Sequence, residues 1–267
     1  MSPDLPPWLL ILAAAVFGSL IGSFFNVVIY RMPRGESVVF PPSACPACGY
    51  RIKPWENIPV LSYLLLRGRC RGCRSGISPQ YPLVEAVTAL CAALLAWDLL
   101  RNPQPAGSAL VYAYFTLCVI PITLIDLRHY LIPDVLTLTG MPIALAASFL
   151  PGGLKPWEAS LGLFASGFIL WVIGAVATRL LKKEAMGFGD VKLLALAGAC
   201  FGWPSAMLGL AIASMLGAAA GVPLLLLRRL NPERHIPFGP FLCVGVLIAA
   251  RFGEKLLDWY WNFGLSS

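Results

Sequence analysis

Long, nearly charge-free runs of apolar residues constrain this 267-residue chain more than any other feature. A helix needs about 20 apolar residues to cross the hydrocarbon core of a bilayer. The first run, from Trp8 to Tyr30, is too long for the apolar region of a signal peptide, and no Lys or Arg precedes it. Only 12% of the residues are charged, about half the fraction usual in a soluble domain. We therefore expect an all-α membrane protein whose first run is a retained transmembrane helix.

Apolar runs bounded by charge clusters and by Pro or Gly breaks predict about eight transmembrane helices. Gly202-Trp203-Pro204 interrupts one long apolar stretch and predicts either a tight turn or a kink. The predicted helices cover 8–30, 81–100, 108–126, 134–150, 158–180, 190–203, 204–227 and 237–252.

The connections between these helices alternate in their content of basic residues. All but four of the twenty Lys and Arg residues lie in one set of connections, and the exceptions are Arg101, Lys155, Arg251 and Lys255. Because cytoplasmic loops collect Lys and Arg, we expect the basic set to face the cytoplasm and both termini to lie outside. Topology and contact with anionic lipid then account for the net charge of +7, and we expect no nucleic-acid partner.

Two cysteine pairs lie in the large basic loop at about 31–80, with the spacing C-x2-C, 21 intervening residues, C-x2-C. This spacing lets both thiolates of each pair face one ion, and two pairs complete a tetrahedral zinc shell. Gly49 and Gly72 suit the tight turns of such knuckles. Disulfides are a poor alternative in the reducing cytosol, and two matching copies favour metal over a redox pair. The predicted ligands of this structural zinc ion are Cys45, Cys48, Cys70 and Cys73.

Three acidic residues lie at predicted cytoplasmic helix ends, where a carboxylate usually faces a partner or a wet cavity. Asp126 ends a helix, and capping explains it poorly because its charge opposes the helix dipole. Asp134 follows a proline and begins a helix, which favours capping or support over direct chemistry. Asp190 follows Gly187-Phe188-Gly189, whose glycines allow a bend and a close backbone approach. Two close carboxylates that share a proton can activate water and protonate a leaving group, so these acids are candidates for peptide hydrolysis.

Six segments, in order along nearly the whole chain, carry a resemblance to known proteins. They are 17–33, the paired-cysteine loop, 77–85, Asp126-Leu-Arg-His-Tyr-Leu-Ile-Pro-Asp134, Gly187-Phe-Gly-Asp190-Val-Lys192 and Ile236-Pro-Phe-Gly-Pro240. Together they resemble the bifunctional type IV prepilin peptidases, a family of aspartic proteases with a GxGD motif. The resemblance implies that Asp126 and Asp190 form the catalytic pair, with Asp134, Gly187 and Gly189 in support.

The same resemblance implies the substrates and the second activity. The family removes the basic leader of prepilins and pseudopilins after a glycine at the cytoplasmic membrane face. It then N-methylates the new terminal residue, typically Phe, with S-adenosylmethionine as the methyl donor. Residues 1–100, with the zinc loop, would be associated with methyl transfer, 101–252 would form the peptidase core, and 253–267 would be a C-terminal tail.

The residues that bind the methyl donor are not identified by the sequence, because no nucleotide-binding fingerprint is present. Asn26 and Glu85 are polar groups near predicted cytoplasmic helix ends. Each is a candidate to line a methyl-transfer pocket, although helix packing explains each at least as well.

Two other functions compete with the peptidase. A transporter that binds protons or cations would have acids near mid-membrane and inverted repeats, whereas these acids lie at helix ends and no clear repeat is present. A non-enzymatic assembly factor of a secretion machine would use the zinc loop and the acids structurally, and a cleavage assay separates it from the peptidase. We expect a multi-pass protein of the bacterial inner membrane, with its zinc loop and active site facing the cytoplasm.

Overall fold

The computed structural model describes residues 6–183, 186–226 and 237–265. Across these ranges the chain is mostly α-helical, and the only extended pairings are two isolated β-bridges in the cysteine-containing loop. The predicted all-α fold class is therefore confirmed. The chain divides into two compact units, Met1–Pro103 and Gln104–Ser267.

The N-terminal unit is built on one close pair of helices. Its helices are α1 (Pro7–Arg31), the short α2 (Leu61–Leu65) and α3 (Gln80–Arg101). Glycine allows α1 to approach α3, because a Cβ on Gly18 would lie 2.5 Å from the Ala92 Cβ. A Cβ on Gly22 would lie 2.7 Å from the Glu85 Cα. These two positions therefore fix how closely α1 and α3 pack.

The C-terminal unit is arranged around a short helix whose central residues are buried. Its helices are α4 (Ala106–His129), α5 (Asp134–Ala147), α6 (Pro156–Leu181), α7 (Phe188–Phe201), α8 (Trp203–Leu226) and α9 (Gly239–Leu265). α7 contacts each of the other five helices, and every residue from Leu193 to Cys200 is buried. A helix that is apolar on all sides belongs in a core, which is where α7 lies.

Each of the eight predicted ranges overlaps one helix, but the predicted number of membrane crossings is not confirmed. Within the described residues, α1, α3, α4, α6 and α8 are long and apolar enough to span a membrane. α5 and α7 have 14 residues each, which is about 21 Å of helix against a hydrocarbon core of about 30 Å. α9 continues to Leu265, through the stretch predicted to be a separate tail.

The interruption at Gly202 is a tight turn between two helices. α7 ends at Phe201 and α8 begins at Trp203, so one residue separates them. Gly202 has a φ of +81°, which glycine adopts easily, and its N–H donates to the Gly198 carbonyl at 2.9 Å. This turn allows the short α7 to end inside the unit and the longer α8 to begin immediately.

Candidate active site and metal centre

Asp126 lies in the last turn of α4, where its side chain is buried. Its Oδ2 accepts a hydrogen bond of 2.9 Å from the backbone N–H of Gly239, the first residue of α9. The dipole of α4 disfavours a negative charge at this end, whereas the N-terminus of α9 offers an N–H donor and a favourable dipole. A Cβ on Gly239 would lie only 2.7 Å from that Oδ2. Glycine at 239 therefore leaves space for this hydrogen bond.

Asp190 is the third residue of α7, and its backbone N–H donates to the Gly187 carbonyl at 3.2 Å. The Ile132 side chain borders both acid-bearing segments, because a Cβ on Gly189 would lie 2.9 Å from it and a Cβ on Gly239, the donor to Asp126, would lie 3.3 Å from it. The two carboxylates are near enough to interact electrostatically. The fold thus brings together the end of α4 and the beginning of α7. The two acids that the sequence analysis paired are neighbours in the C-terminal unit.

The two glycines before Asp190 differ in what surrounds them. A Cβ on Gly189 would lie 2.9 Å from the Cβ of Ile132, a buried residue in the connection between α4 and α5. A Cβ on Gly187 would meet its nearest neighbour, Asp190 Oδ2, at an ordinary 3.7 Å. Gly187 has a φ of −74°, which any residue adopts. The close approach predicted for this motif therefore occurs at Gly189, and it involves a side chain rather than backbone.

Asp134 is the first residue of α5, and half of its side chain is exposed. Its two carboxylate oxygens accept hydrogen bonds of 2.7 and 2.8 Å from Lys192 Nζ on α7. Lys192 lies two positions beyond Asp190. This ion pair joins the first residue of α5 to the second turn of α7, which favours a supporting position for Asp134.

The four loop cysteines converge on one point. All their sulfur atoms lie within 4.8 Å of one another, with Cys45 and Cys73 at 3.9 Å and Cys48 and Cys70 at 4.0 Å. A tetrahedral zinc ion with Zn–S bonds of about 2.3 Å places its sulfurs about 3.8 Å apart. A disulfide, by contrast, needs an S–S distance of about 2.05 Å. The cluster therefore fits a single tetrahedral ion.

Both cysteine knuckles close with a similar backbone turn. The N–H groups of Gly49 and Arg74 each donate, at 2.9 Å, to the carbonyl of the first cysteine of their pair. Gly49 has a φ of +70°, as its predicted turn requires, and the second knuckle has Arg74 in that conformation with a φ of +60°. Gly72 lies in the turn of the second knuckle, as predicted, but Arg74 rather than Gly72 takes the left-handed conformation there. Gly72 instead makes room for Tyr50, because a Cβ there would lie 3.2 Å from the tyrosine ring.

Glu56 links the two halves of the metal site. Its side chain, 5% exposed, accepts hydrogen bonds from the Tyr50 hydroxyl, from Arg71 at 2.8 Å and from the Lys53 N–H at 3.3 Å. Burial opposes the charge, but the Lys53 N–H, the Tyr50 hydroxyl and Arg71 together lower the pKa of Glu56 below its ordinary value. Tyr50 follows the first cysteine pair and Arg71 lies within the second, so one carboxylate holds both.

Comparison with known proteins decides the family. The type IV leader peptidase family matches residues 113–222, and the bacterial peptidase A24 N-terminal domain matches 16–99. A prepilin leader peptidase/N-methyltransferase of Aeromonas hydrophila is 38% identical, with 95% of this chain and 94% of the relative covered. Its namesake in Pseudomonas aeruginosa is 36% identical, with 96% and 95% covered. The chain belongs to the type IV leader peptidase family.

Type IV leader peptidases are aspartic peptidases, which agrees with the paired carboxylates of the C-terminal unit. Both Asp126 and Asp190 lie within the segment that matches the peptidase family, and the cysteine cluster lies within the N-terminal match. The apolar helices and the family together identify a multi-pass inner-membrane protein. No solved structure matches the chain.

Sequence reasoning did not assign two contacts of this leader peptidase site, the Gly239 amide on Asp126 and the Lys192 ammonium on Asp134. Both residues lie in segments that carried the resemblance. The residue type at 239 does not reveal a backbone donor, because every residue except proline carries an N–H. Their closeness to the acids depends on tertiary contacts between α4, α5, α7 and α9.

Proposed function

We propose that this chain removes the basic leader of type IV prepilins and pseudopilins at the cytoplasmic face of the inner membrane and N-methylates the new terminal residue. The relatives named prepilin leader peptidase/N-methyltransferase, which match over nearly the full length, support both activities. The observation that carries the peptidase assignment is the convergence of the last turn of α4, with Asp126, and the first turn of α7, with Asp190, on Ile132 and Gly239.

The paired carboxylates have the chemistry that peptide hydrolysis requires. Because like charges this close do not readily ionise together, the pair holds one proton and titrates as a unit. The ionised carboxylate takes a proton from water as the water oxygen attacks the scissile carbonyl. The protonated carboxylate then gives its proton to the leaving nitrogen as the C–N bond breaks. Gly239 and Gly189 support this reaction by keeping the two carboxylates in position.

In this proposal Asp134 positions the catalytic groups and does not itself exchange protons with the substrate. Asp134 is paired with Lys192, so its charge is already compensated, and it has less reason than Asp126 or Asp190 to exchange protons with substrate. The pair ties α5 to α7 next to the GxGD segment. Asp134 and Lys192 would therefore align Asp190 with Asp126.

The cysteine cluster is proposed to hold a structural zinc ion. Four thiolates complete the tetrahedral shell and leave no open position for substrate. The loop that they close has little apolar core of its own, and zinc binding supplies folding free energy to such segments. Zinc therefore stabilises the loop and takes no part in hydrolysis.

The methyl donor is proposed to be S-adenosylmethionine, as the N-methyltransferase names of the relatives imply. When bound, it supplies an electrophilic methyl group to the amine that cleavage exposes. We assign this activity to the N-terminal unit, and the peptidase activity to the C-terminal unit.

The direct test is mass spectrometry of a prepilin co-expressed with this protein. The expected product lacks the leader and is heavier by one methylene group than simple cleavage allows. A transporter or an assembly factor would leave the prepilin at full length, and the comparisons favour neither. Recovery of only uncut prepilin alongside folded, membrane-inserted protein would contradict the proposal.

A further inference from the structure

A group of polar residues, two of them buried, lies in the N-terminal unit where the C-terminal half of α1 meets the first turns of α3. We call Ser23, Asn26, Tyr81 and Glu85 the α1–α3 polar cluster. Asn26 Nδ2 donates to the Tyr81 carbonyl at 2.9 Å, and the Ser23 side chain lies close enough to Glu85 to interact with its carboxylate. Residues three or four positions apart share a helix face, so these four groups lie within adjacent turns of the same contact.

The cluster contains an unpaired acceptor. Asn26 is 4% exposed, and its Oδ1 is buried without a hydrogen-bond partner among the described residues. Buried polar atoms are nearly always paired, and an exception calls for a reason such as a bound ligand. The hydroxyls of Thr116 and Ser166, in the C-terminal unit, are also buried without a hydrogen-bond partner among the described residues. Of these three residues, only Asn26 lies beside a buried carboxylate in the same cluster.

The Glu85 carboxylate is held firmly in place. It is 8% exposed, and its Oε2 accepts a 2.7 Å hydrogen bond from the backbone N–H of Val60. Val60 has a φ of +61°, an unusual conformation for a β-branched residue. The close approach of α1 at Gly22 adds to this restraint. A buried carboxylate fixed in this way is ready to bind a cation without further reorganisation.

The chemistry of the cluster specifies a donor with positive charge. Asn26 Oδ1 and the Glu85 oxygens are acceptors, and an ammonium group offers three N–H donors to such a site. A buried carboxylate is most favourable when a cation pairs with it. The N-methyltransferase reaction supplies two α-ammonium groups, that of the cleaved substrate and that of the methyl donor, and only the substrate amine has to lose a proton to react.

We propose that the α1–α3 polar cluster binds the free α-amine of the cleaved substrate and that Glu85 takes its proton before methyl transfer. This inference rests on the proposed function. The N–H bond breaks and the proton moves to a Glu85 oxygen, which frees the nitrogen lone pair. That nitrogen forms the new N–C bond while the C–S bond of the sulfonium donor breaks and its electron pair stays on sulfur. Glu85 then returns its proton to water.

The decisive variant is Glu85→Gln. Glutamine keeps an oxygen that accepts the Val60 N–H, so the loop remains anchored, but the charge and the base are lost. We expect prepilin cleavage and zinc content to stay at wild-type levels while the rate of methylation falls at least about 100-fold, as for removal of a general base. Thr88→Val is the matched control, because the buried Thr88 hydroxyl bonds to the Val84 carbonyl of its own helix at 2.7 Å. It should leave both activities unchanged.

A binding measurement without methyl donor tests the site independently of turnover. A peptide with the mature N-terminal sequence and a free amine should bind wild-type protein, and its N-acetylated form should not. Glu85→Gln and Asn26→Leu should each weaken binding of the free-amine peptide at least about tenfold, as expected for one lost charged hydrogen bond. The proposal would be overturned if Glu85→Gln bound the free-amine peptide as tightly as the wild type does, or methylated at the wild-type rate.

Loss of cleavage, zinc binding and methylation together in Glu85→Gln would also overturn the proposal, because it would show that Glu85 only anchors the structure. If the wild type does not methylate, the proposed function fails, and peptide binding still decides the cluster.

Discussion

At the residue scale, the contact between Asp126 and Gly239 explains how a carboxylate is kept at an unfavourable helix end. The α4 dipole opposes the charge, and the N–H at the start of α9 compensates for it. The donor needs a residue without a side chain, because a Cβ would enter the space of the carboxylate. Position 239 therefore belongs to the site although glycine has no chemistry of its own.

The first prediction concerns this glycine. Gly239→Ala should lower the rate of prepilin cleavage about 100-fold, because its Cβ must displace the Asp126 carboxylate by a substantial fraction of an ångström. Gly174→Ala, in α6 and outside the site, is the control, since its Cβ would meet only ordinary contacts, and it should retain activity within about threefold. Cleavage kinetics of the purified proteins provide the measurement. Equal rates for Gly239→Ala and the wild type would contradict this account of Asp126.

The residue types at the site were readable from the sequence, but some of their environments were not. Scarcity of charge marked Asp126 and Asp190, and spacing marked the four cysteines. Gly72 does lie in the turn of the second knuckle, but the residue with the left-handed conformation there is Arg74, which the sequence analysis did not identify. The reason is that the turn depends on hydrogen bonds within the knuckle, whereas Gly72 packs against a tyrosine from the other one. Such contacts between separate segments leave no local pattern.

At the scale of elements, the ion pair between Asp134 and Lys192 joins the beginnings of α5 and α7. Partly exposed pairs contribute about 0–1 kcal/mol to stability, so its value lies in alignment rather than in folding. It restrains the rotation of α7 about its axis and the position along that axis of the N-terminal end that carries Asp190.

The second prediction follows from this pair. Asp134→Asn and Lys192→Gln should each slow cleavage up to about tenfold with little change in thermal stability. The reversed pair, Asp134→Lys with Lys192→Asp, should recover much of the rate, because it restores the attraction between the two helices. If Asp134 instead exchanges protons with the substrate, the reversed pair will be inactive. Cleavage rates of the four proteins distinguish these outcomes.

The third prediction concerns Glu56, the residue whose carboxylate links the two cysteine knuckles. Glu56→Gln should weaken zinc binding about tenfold, because the carboxylate holds Tyr50 and Arg71 together and so orients the two segments that carry the cysteines. The four cysteines are left intact in this variant. Competition with a chromogenic chelator measures the affinity, and Glu36→Gln, an exposed acid in the same loop, is the charge-matched control. Unchanged affinity in Glu56→Gln would show that the knuckles meet without this carboxylate.

At the scale of the whole molecule, apolar runs predicted the helices well but counted the membrane crossings less well. Each predicted range corresponds to a helix, because such runs in a charge-poor chain have few other solutions. Hydropathy does not separate a helix that faces lipid from one enclosed by its neighbours. α7 is apolar because it lies inside the C-terminal unit, and its 14 residues are too few to cross a bilayer alone.

The two units also frame the proposed division of labour. The paired aspartates lie in the C-terminal unit, whereas the zinc-type cluster and the α1–α3 polar cluster lie in the N-terminal unit. Loss of one carboxylate of the pair should therefore abolish cleavage without affecting zinc content. It should also leave methylation of a peptide that begins at the mature N-terminus at its wild-type rate.

Prepilin cleavage by purified Asp126→Asn and Asp190→Asn tests most directly whether hydrolysis depends on these two side chains meeting. Asparagine preserves the size of each group but neither holds nor releases the required proton. Each variant should retain zinc and lose at least about 1,000-fold in cleavage rate. Cleavage at the wild-type rate by either correctly folded variant would contradict the assignment of the pair.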